Sequence, residues 1–69
     1  MKQLDSIGES IKTCRKDKGL TQPQLAKIIG VSHAAISFYE NDVNIPNVKI
    51  CWAIADTLNI SIDELVGRV

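Results

Sequence analysis

Apolar side chains recur at helical spacing along almost the whole chain, and polar residues punctuate them at regular intervals. Ile7, Ile11 and Cys14 share one stripe of a helix. Ser6 and Glu9 form a capping-box pair ahead of that stripe, in which the hydroxyl satisfies an early backbone N–H and the carboxylate reaches back. Lys12, Arg15, Lys16 and Lys18 gather toward its end, where cations favour the helix dipole, and Gly19 supplies a left-handed stop. The pattern predicts a first helix over 7–18.

Thr21 and Gln24 make a second capping pair, with Pro23 in a first turn whose N–H groups have no helical partner anyway. Leu25, Ala26, Ile28 and Ile29 follow and Gly30 ends the segment, so helix two is barely two turns long. Ser32 caps a third helix over 33–40, flanked by Val31 and Ile36 in the places of a hydrophobic staple. Residues 41–46 read as a loop. Asn47 then caps a fourth helix over 48–58 with a core stripe of Cys51, Ile54, Ala55 and Leu58. Ser61 and Glu64 form a third capping box, opening a last short helix through Val66 before Gly67. No segment alternates as a strand does. The predicted class is all-α.

Composition narrows the function. At 69 residues the chain is expected to form one domain over 1–69. A catalytic pocket of the usual ~300–1,000 Å³ is hard to house in so small a core. There is no visible nucleophile–base pair, metal set or phosphate loop, so a binding module is expected, with no enzyme activity and no cofactor. The first residues lack the run of a secretory signal, and the longest apolar stretch, Ile50 to Ala55, is far short of the ~20 residues that span a bilayer. The expectation is a soluble cytoplasmic protein with no membrane partner. Cys14 and Cys51 both fall on apolar helix faces and read as reduced, buried thiols. A disulfide is the rival reading, disfavoured inside a cell, and a lone His leaves a zinc site without its ligands.

Helices two and three carry the most specific pattern. Gln22, Ala26, Gly30 and Ile36 stand at relative places 1, 5, 9 and 15 of a helix-turn-helix frame. Ala26 is small enough for close helix crossing, Gly30 accepts a positive φ at the turn, and Ile36 locks the pair together. A rigid pair of this kind lets the second helix enter a DNA major groove.

The chain resembles the Cro/CI-type (XRE) helix-turn-helix family of phage and bacterial repressors. The likeness rests on Arg15, Gly19-Leu20-Thr21-Gln22, Gln24-Leu25-Ala26, Gly30-Val31-Ser32, Ile36-Ser37, Glu40-Asn41, Pro46 and the run from Ala55 to Leu65. It implies a compact five-helix, lambda-repressor-like domain with the helix-turn-helix over about 21–40. It also implies a transcriptional regulator, a repressor of phage or bacterial promoters, that binds duplex DNA on a two-fold operator.

Residue by residue, the resemblance implies that Gln22 hydrogen-bonds a DNA phosphate, as a helix N-terminus favours. Arg15 and Glu40 match an interhelical salt bridge whose Arg often touches phosphate as well; a purely structural pair is the alternative. Asn41 matches another phosphate contact, and Lys12 lies in the basic group close to the helix-two end expected to face DNA. His33 and Ala34 match the leading base contacts. On a helical wheel Ala35, Ile36 and Tyr39 point inward, leaving His33, Ala34, Ser37 and Phe38 outward to read bases. His33 can donate or accept at a base edge, and Ala34 can only pack, as on a thymine methyl. A plain solvent-exposed His is the alternative.

The chain departs from the family pattern in several places, one being the loop Val43-Asn44-Ile45, which lacks the basic residues that often hold the backbone there. Helix three has no Arg or Lys, Phe38 replaces a polar or basic side chain, and Asp42 stands where Gly commonly follows Asn41, adding a negative charge beside the expected phosphate path. Phosphate neutralisation supplies much of DNA affinity, so these absences bear on binding strength. Charge is segregated in compensation: residues 1–27 hold six basic and three acidic side chains (+3), and residues 28–69 hold two and five (−3). A basic side on a neutral protein is one reading of this, and an ordinary solvated helix face the other. Phe38 with Ala34 and His33 fits either thymine methyls or a protein partner, in the manner of an anti-repressor. Trp52, at the edge of the helix-four stripe, and Ile62, Val66 and Val69 are candidates for a homodimer contact, one that could form only on DNA; Trp52 reads equally as core.

Overall fold

Side-chain oxygens placed just before each apolar run decide where the helices begin. The computed structural model describes residues 6–66, which form five helices and no strand: α1 (Ile7–Asp17), α2 (Gln22–Ile29), α3 (His33–Glu40), α4 (Val48–Leu58) and α5 (Ile62–Leu65). Ser6, Thr21, Ser32, Asn47 and Ser61 are the N-caps, each accepting a hydrogen bond from the backbone N–H three residues on. Thr21 with Gln24, and Ser61 with Glu64, close full capping boxes.

Three expectations are adjusted. The first helix ends one residue early, with Lys18 as its cap, and the last ends at Leu65 with Val66 as its cap. Gly67, expected to stop it, and Val69 lie outside the described residues. At Ser6 only half of the expected box forms. Its Oγ accepts from the Glu9 N–H at 3.1 Å but donates to Asp42 Oδ2 at 2.7 Å, so the carboxylate at this helix end comes from the α3–α4 loop.

Every helix contributes to one core. Ile11 of α1, Leu25 of α2, Ile36 of α3, Ile54 and Leu58 of α4 and Leu65 of α5 are almost fully buried. Each such side chain stabilises the fold by about 1.5–3 kcal/mol through removal from water. Ala26, Cys51 and Ala55 fill the close crossings between them. α3 packs on both α1 and α2, α4 lies against α2, and α5 closes over α1 and α4.

The α2–α3 turn is tight. Gly30 adopts φ +79°, and its N–H and that of Val31 both return to the Ala26 carbonyl, at 2.9 and 3.0 Å. A residue with a Cβ is strained in that conformation. The core anchors α3 along its inner face through Ile36, with Ala35 and Tyr39 half-buried beside it. Its outer face is therefore presented by a rigid support. Cys14 and Cys51 are free thiols, half-buried and buried respectively, and burial pushes both up from the ordinary thiol value.

Candidate nucleic-acid interface

A chain of hydrogen bonds runs from the interior to the tip of α3. Arg15 is 7% exposed and Glu40 6%, and they form a two-point ion pair between α1 and α3. Arg15 Nε donates to Glu40 Oε2 at 2.6 Å and Nη2 donates to Oε1 at 3.0 Å. Arg15 Nη1 also donates to the Leu20 carbonyl at 2.7 Å, which fastens the α1–α2 loop. Burial alone would raise the Glu40 carboxyl. Hydrogen bonds from Arg15 and Gln22, with the charges of Arg15 and Lys12, outweigh burial and hold it below the ordinary carboxylate value.

Gln22, the first residue of α2, continues the chain. Its Nε2 donates to Glu40 Oε1 at 2.9 Å, and its Oε1 lies 3.0 Å from His33 Nε2 at the start of α3. The structure thus brings together Arg15, Glu40, Gln22 and His33. The sequence frame placed these residues separately, and neither bond of Gln22 was expected. The only hint in the sequence was a Gln eleven residues ahead of a His across a helix-turn-helix.

The rest of the α3 face is less polar. His33 and Ala34 are exposed, Ser37 is half-buried and Phe38 is 45% exposed. Asn41 caps the helix, but its Nδ2 donates back to the Ser37 carbonyl at 2.9 Å and lies 3.4 Å from Ser37 Oγ. Ser37 and Asn41 therefore form a second local pair, apart from the Gln22–His33 pair. Lys12 is exposed on α1.

Asp42, expected to add a negative charge beside the phosphate path, has its carboxylate bonded within the chain. Its backbone takes φ +59°, and its carboxylate turns inward onto the start of α1, accepting from the Gly8 N–H at 3.1 Å as well as from Ser6. A carboxylate is stabilised at the positive end of a helix dipole, so the charge is engaged rather than free. The positive φ also explains why a glycine suits this position. Gly8 went unremarked in the sequence, yet a Cβ there would lie 2.6 Å from the Tyr39 carbonyl oxygen and 2.7 Å from that of Glu40.

Trp52 is exposed at 59%, on the outer side of α4 rather than in the core. Val48, one turn earlier on the same face, and Val43 and Ile45 in the preceding loop are also exposed, whereas Ile62 and Val66 are half-buried. Trp52 and the α5 residues thus differ in how much surface they offer.

Comparison with known proteins agrees with this architecture. The helix-turn-helix family HTH_3 matches residues 11–65. The cryptic phage CTXphi transcriptional repressor RstR of Vibrio cholerae is 42% identical over 62 residues, covering 90% of this chain and 55% of that protein. Antitoxin PezA of Streptococcus pneumoniae is 36% identical over 62 residues, covering 90% of this chain and 39% of that protein. The chain therefore spans about half or less of the length of these relatives. Among solved structures, the P22 c2 repressor in complex with synthetic operator 9T superposes with a TM-score of 0.85 at 35% identity, covering 90% of this chain and 94% of that one. The all-α, repressor-type fold expected from the resemblance is the fold observed. With a family match over most of its residues and these relatives beside it, the chain belongs to the helix-turn-helix family.

Proposed function

We propose that this chain is a sequence-specific DNA-binding transcriptional regulator that inserts α3 into the major groove. It acts as a repressor by occupying an operator and excluding polymerase, as a single domain working in the cytoplasm and without enzyme activity. The observation that carries this reading is the exposed face of α3, held rigid by Ile36 in the core and by the Arg15–Glu40 pair beneath it. His33, Ala34, Ser37 and Phe38 face the bases. Gln22, Asn41 and Lys12 hold the phosphates, and Arg15 supports them from below with its guanidinium largely committed to Glu40 and Leu20.

One such helix contacts only a few base pairs, so the regulator binds as a homodimer on a two-fold site with half-sites about 34 Å apart. Trp52, Ile62 and Val66 supply apolar surface for that contact. The lack of Arg and Lys on α3 shifts the burden of phosphate neutralisation to Lys12, Lys16 and Lys18, exposed on or just after α1.

The test is selection from random duplexes at roughly 50 mM salt, where phosphate contacts are strong. Recovery of a two-fold-symmetric site supports the reading. Failure to retain any duplex overturns it and leaves the exposed Phe38 face as a site for a protein partner.

A further inference from the structure

Two hydrogen bonds of Gln22 decide how His33 is presented. Glu40 is a carboxylate already receiving two bonds from Arg15, and an ionised carboxylate can only accept. The amide group 2.9 Å from its Oε1 must therefore be the Gln22 nitrogen, because the opposite rotamer would set two oxygens against each other. That fixes Gln22 Oε1 on the side of His33, 3.0 Å from Nε2. An amide oxygen only accepts, so His33 Nε2 must carry a hydrogen. A neutral imidazole has one N–H, and the other ring nitrogen, Nδ1, is then left as an acceptor. The buried ion pair thus selects, through one glutamine, the tautomer of an exposed ring at the first position of α3.

We propose that His33 is a specificity-determining residue that meets the duplex as a hydrogen-bond acceptor, its Nδ1 receiving the exocyclic amino group of adenine (N6) or cytosine (N4). The inference rests on the duplex-binding reading above and narrows it to one class of base atom. Guanine and thymine offer acceptors at the corresponding edge and find no donor on a ring so fixed. Gln22 is the positioning residue. Its second amide hydrogen is not used by Glu40, so holding the ring is compatible with a phosphate contact.

The chain contains a single histidine, so the test is unambiguous. Imidazole ¹⁵N shifts of the free protein, recorded in alkaline buffer with the ring neutral, should show Nε2 protonated and Nδ1 bare. Gln22→Ala should move the pattern toward a mixture of tautomers. A wild-type protein with a protonated Nδ1, or with an even mixture, overturns the proposal whether or not duplex is bound.

The second arm uses the selected duplex, at the base where His33→Ala relaxes preference. An analogue lacking the exocyclic amino group should weaken wild-type binding about fivefold, the order of one neutral hydrogen bond. A 7-deaza purine, which lacks only the N7 acceptor, should bind as before. His33→Ala should respond to neither change beyond any loss due to the duplex itself. Wild-type sensitivity to the 7-deaza base, or equal responses of wild type and His33→Ala, overturns the proposal. Failure to retain any duplex overturns both this inference and the reading it rests on, whereas a wrong tautomer with binding intact overturns only this one.

Discussion

Asp42 and Gly8 are joined across the fold: the Asp42 carboxylate accepts the Gly8 N–H at 3.1 Å, where the start of α1 meets the end of α3. The contact is close because Gly8 has no side chain. The Tyr39 and Glu40 carbonyls occupy the space a Cβ would need, so the two helices approach backbone to backbone. This contact lies at the carboxyl end of α3, beside Glu40 and therefore beside the network that reaches His33.

Gly8→Ala is expected to destabilise the protein by about 1–3 kcal/mol, the usual cost of forcing volume into a packed site. The obstruction is backbone, which cannot swing aside as a long side chain would. Urea unfolding of the variant should show a lowered midpoint, and an unchanged midpoint would refute the close approach.

Removing Arg15 should be more damaging. Arg15→Met leaves the Glu40 carboxylate buried without its ion-pair partner, and breaking buried pairs in this way costs about 3–5 kcal/mol. Replacing both residues, as Arg15→Met with Glu40→Leu, should recover much of that loss because no charge is then stranded. If the double variant is as unstable as the single one, the damage comes from lost packing and not from the stranded charge.

The same pair gives stability a pH dependence of defined sign. The folded-state pKa of Glu40 is lowered, so its contribution is fully present above the unfolded value of about 4.3 and is lost as pH falls through the lower, folded value. The urea midpoint should decline as pH drops below about 4, and the decline should be shallower in Glu40→Gln. Parallel pH profiles for the two proteins would argue against the assignment.

Lys12→Ala separates backbone holding from base reading. Lys12 is exposed on α1, so its removal should weaken binding to selected and random duplexes alike. The slope of log affinity against log salt should fall by about one. An unchanged slope would take Lys12 out of the phosphate contacts.

Trp52 offers a test of the proposed homodimer, because it is the chain's single tryptophan and is well exposed. Its emission should be that of a solvated indole in dilute protein and should shift to the blue on a duplex carrying both half-sites. A duplex with one half-site should leave it unchanged. No shift on the full site would remove Trp52 from the dimer contact.

Much of the local architecture was legible along the chain because it depends on neighbours three or four residues apart. Thr21 with Gln24 and Ser61 with Glu64 cap their helices through bonds within one turn, so spacing alone locates them. The α3 and α4 bounds follow from Ser32, Asn47 and the apolar stripes in the same way. Ser6 with Glu9 has identical spacing but forms only half a box, and the carboxylate bonded at this helix end, to the Ser6 hydroxyl and the Gly8 N–H, belongs to a residue thirty-six positions beyond Ser6. Trp52 could be read as core or surface because it borders the buried stripe, and only the packing of α4 against its neighbours turns it outward.

Short-range chemistry therefore determined the all-α class, the helix-turn-helix and the face of α3 that points to solvent, since caps, helical periodicity and the preference of Gly30 for positive φ act within a few residues. Only the tertiary structure decided that Asp42 closes α1, that Gly8 must lack a side chain, and that Glu40, Gln22 and His33 form one line of hydrogen bonds. Those outcomes depend on distances of about 3 Å between helices remote in sequence. Such distances exist only once the shared core has fixed where each helix lies.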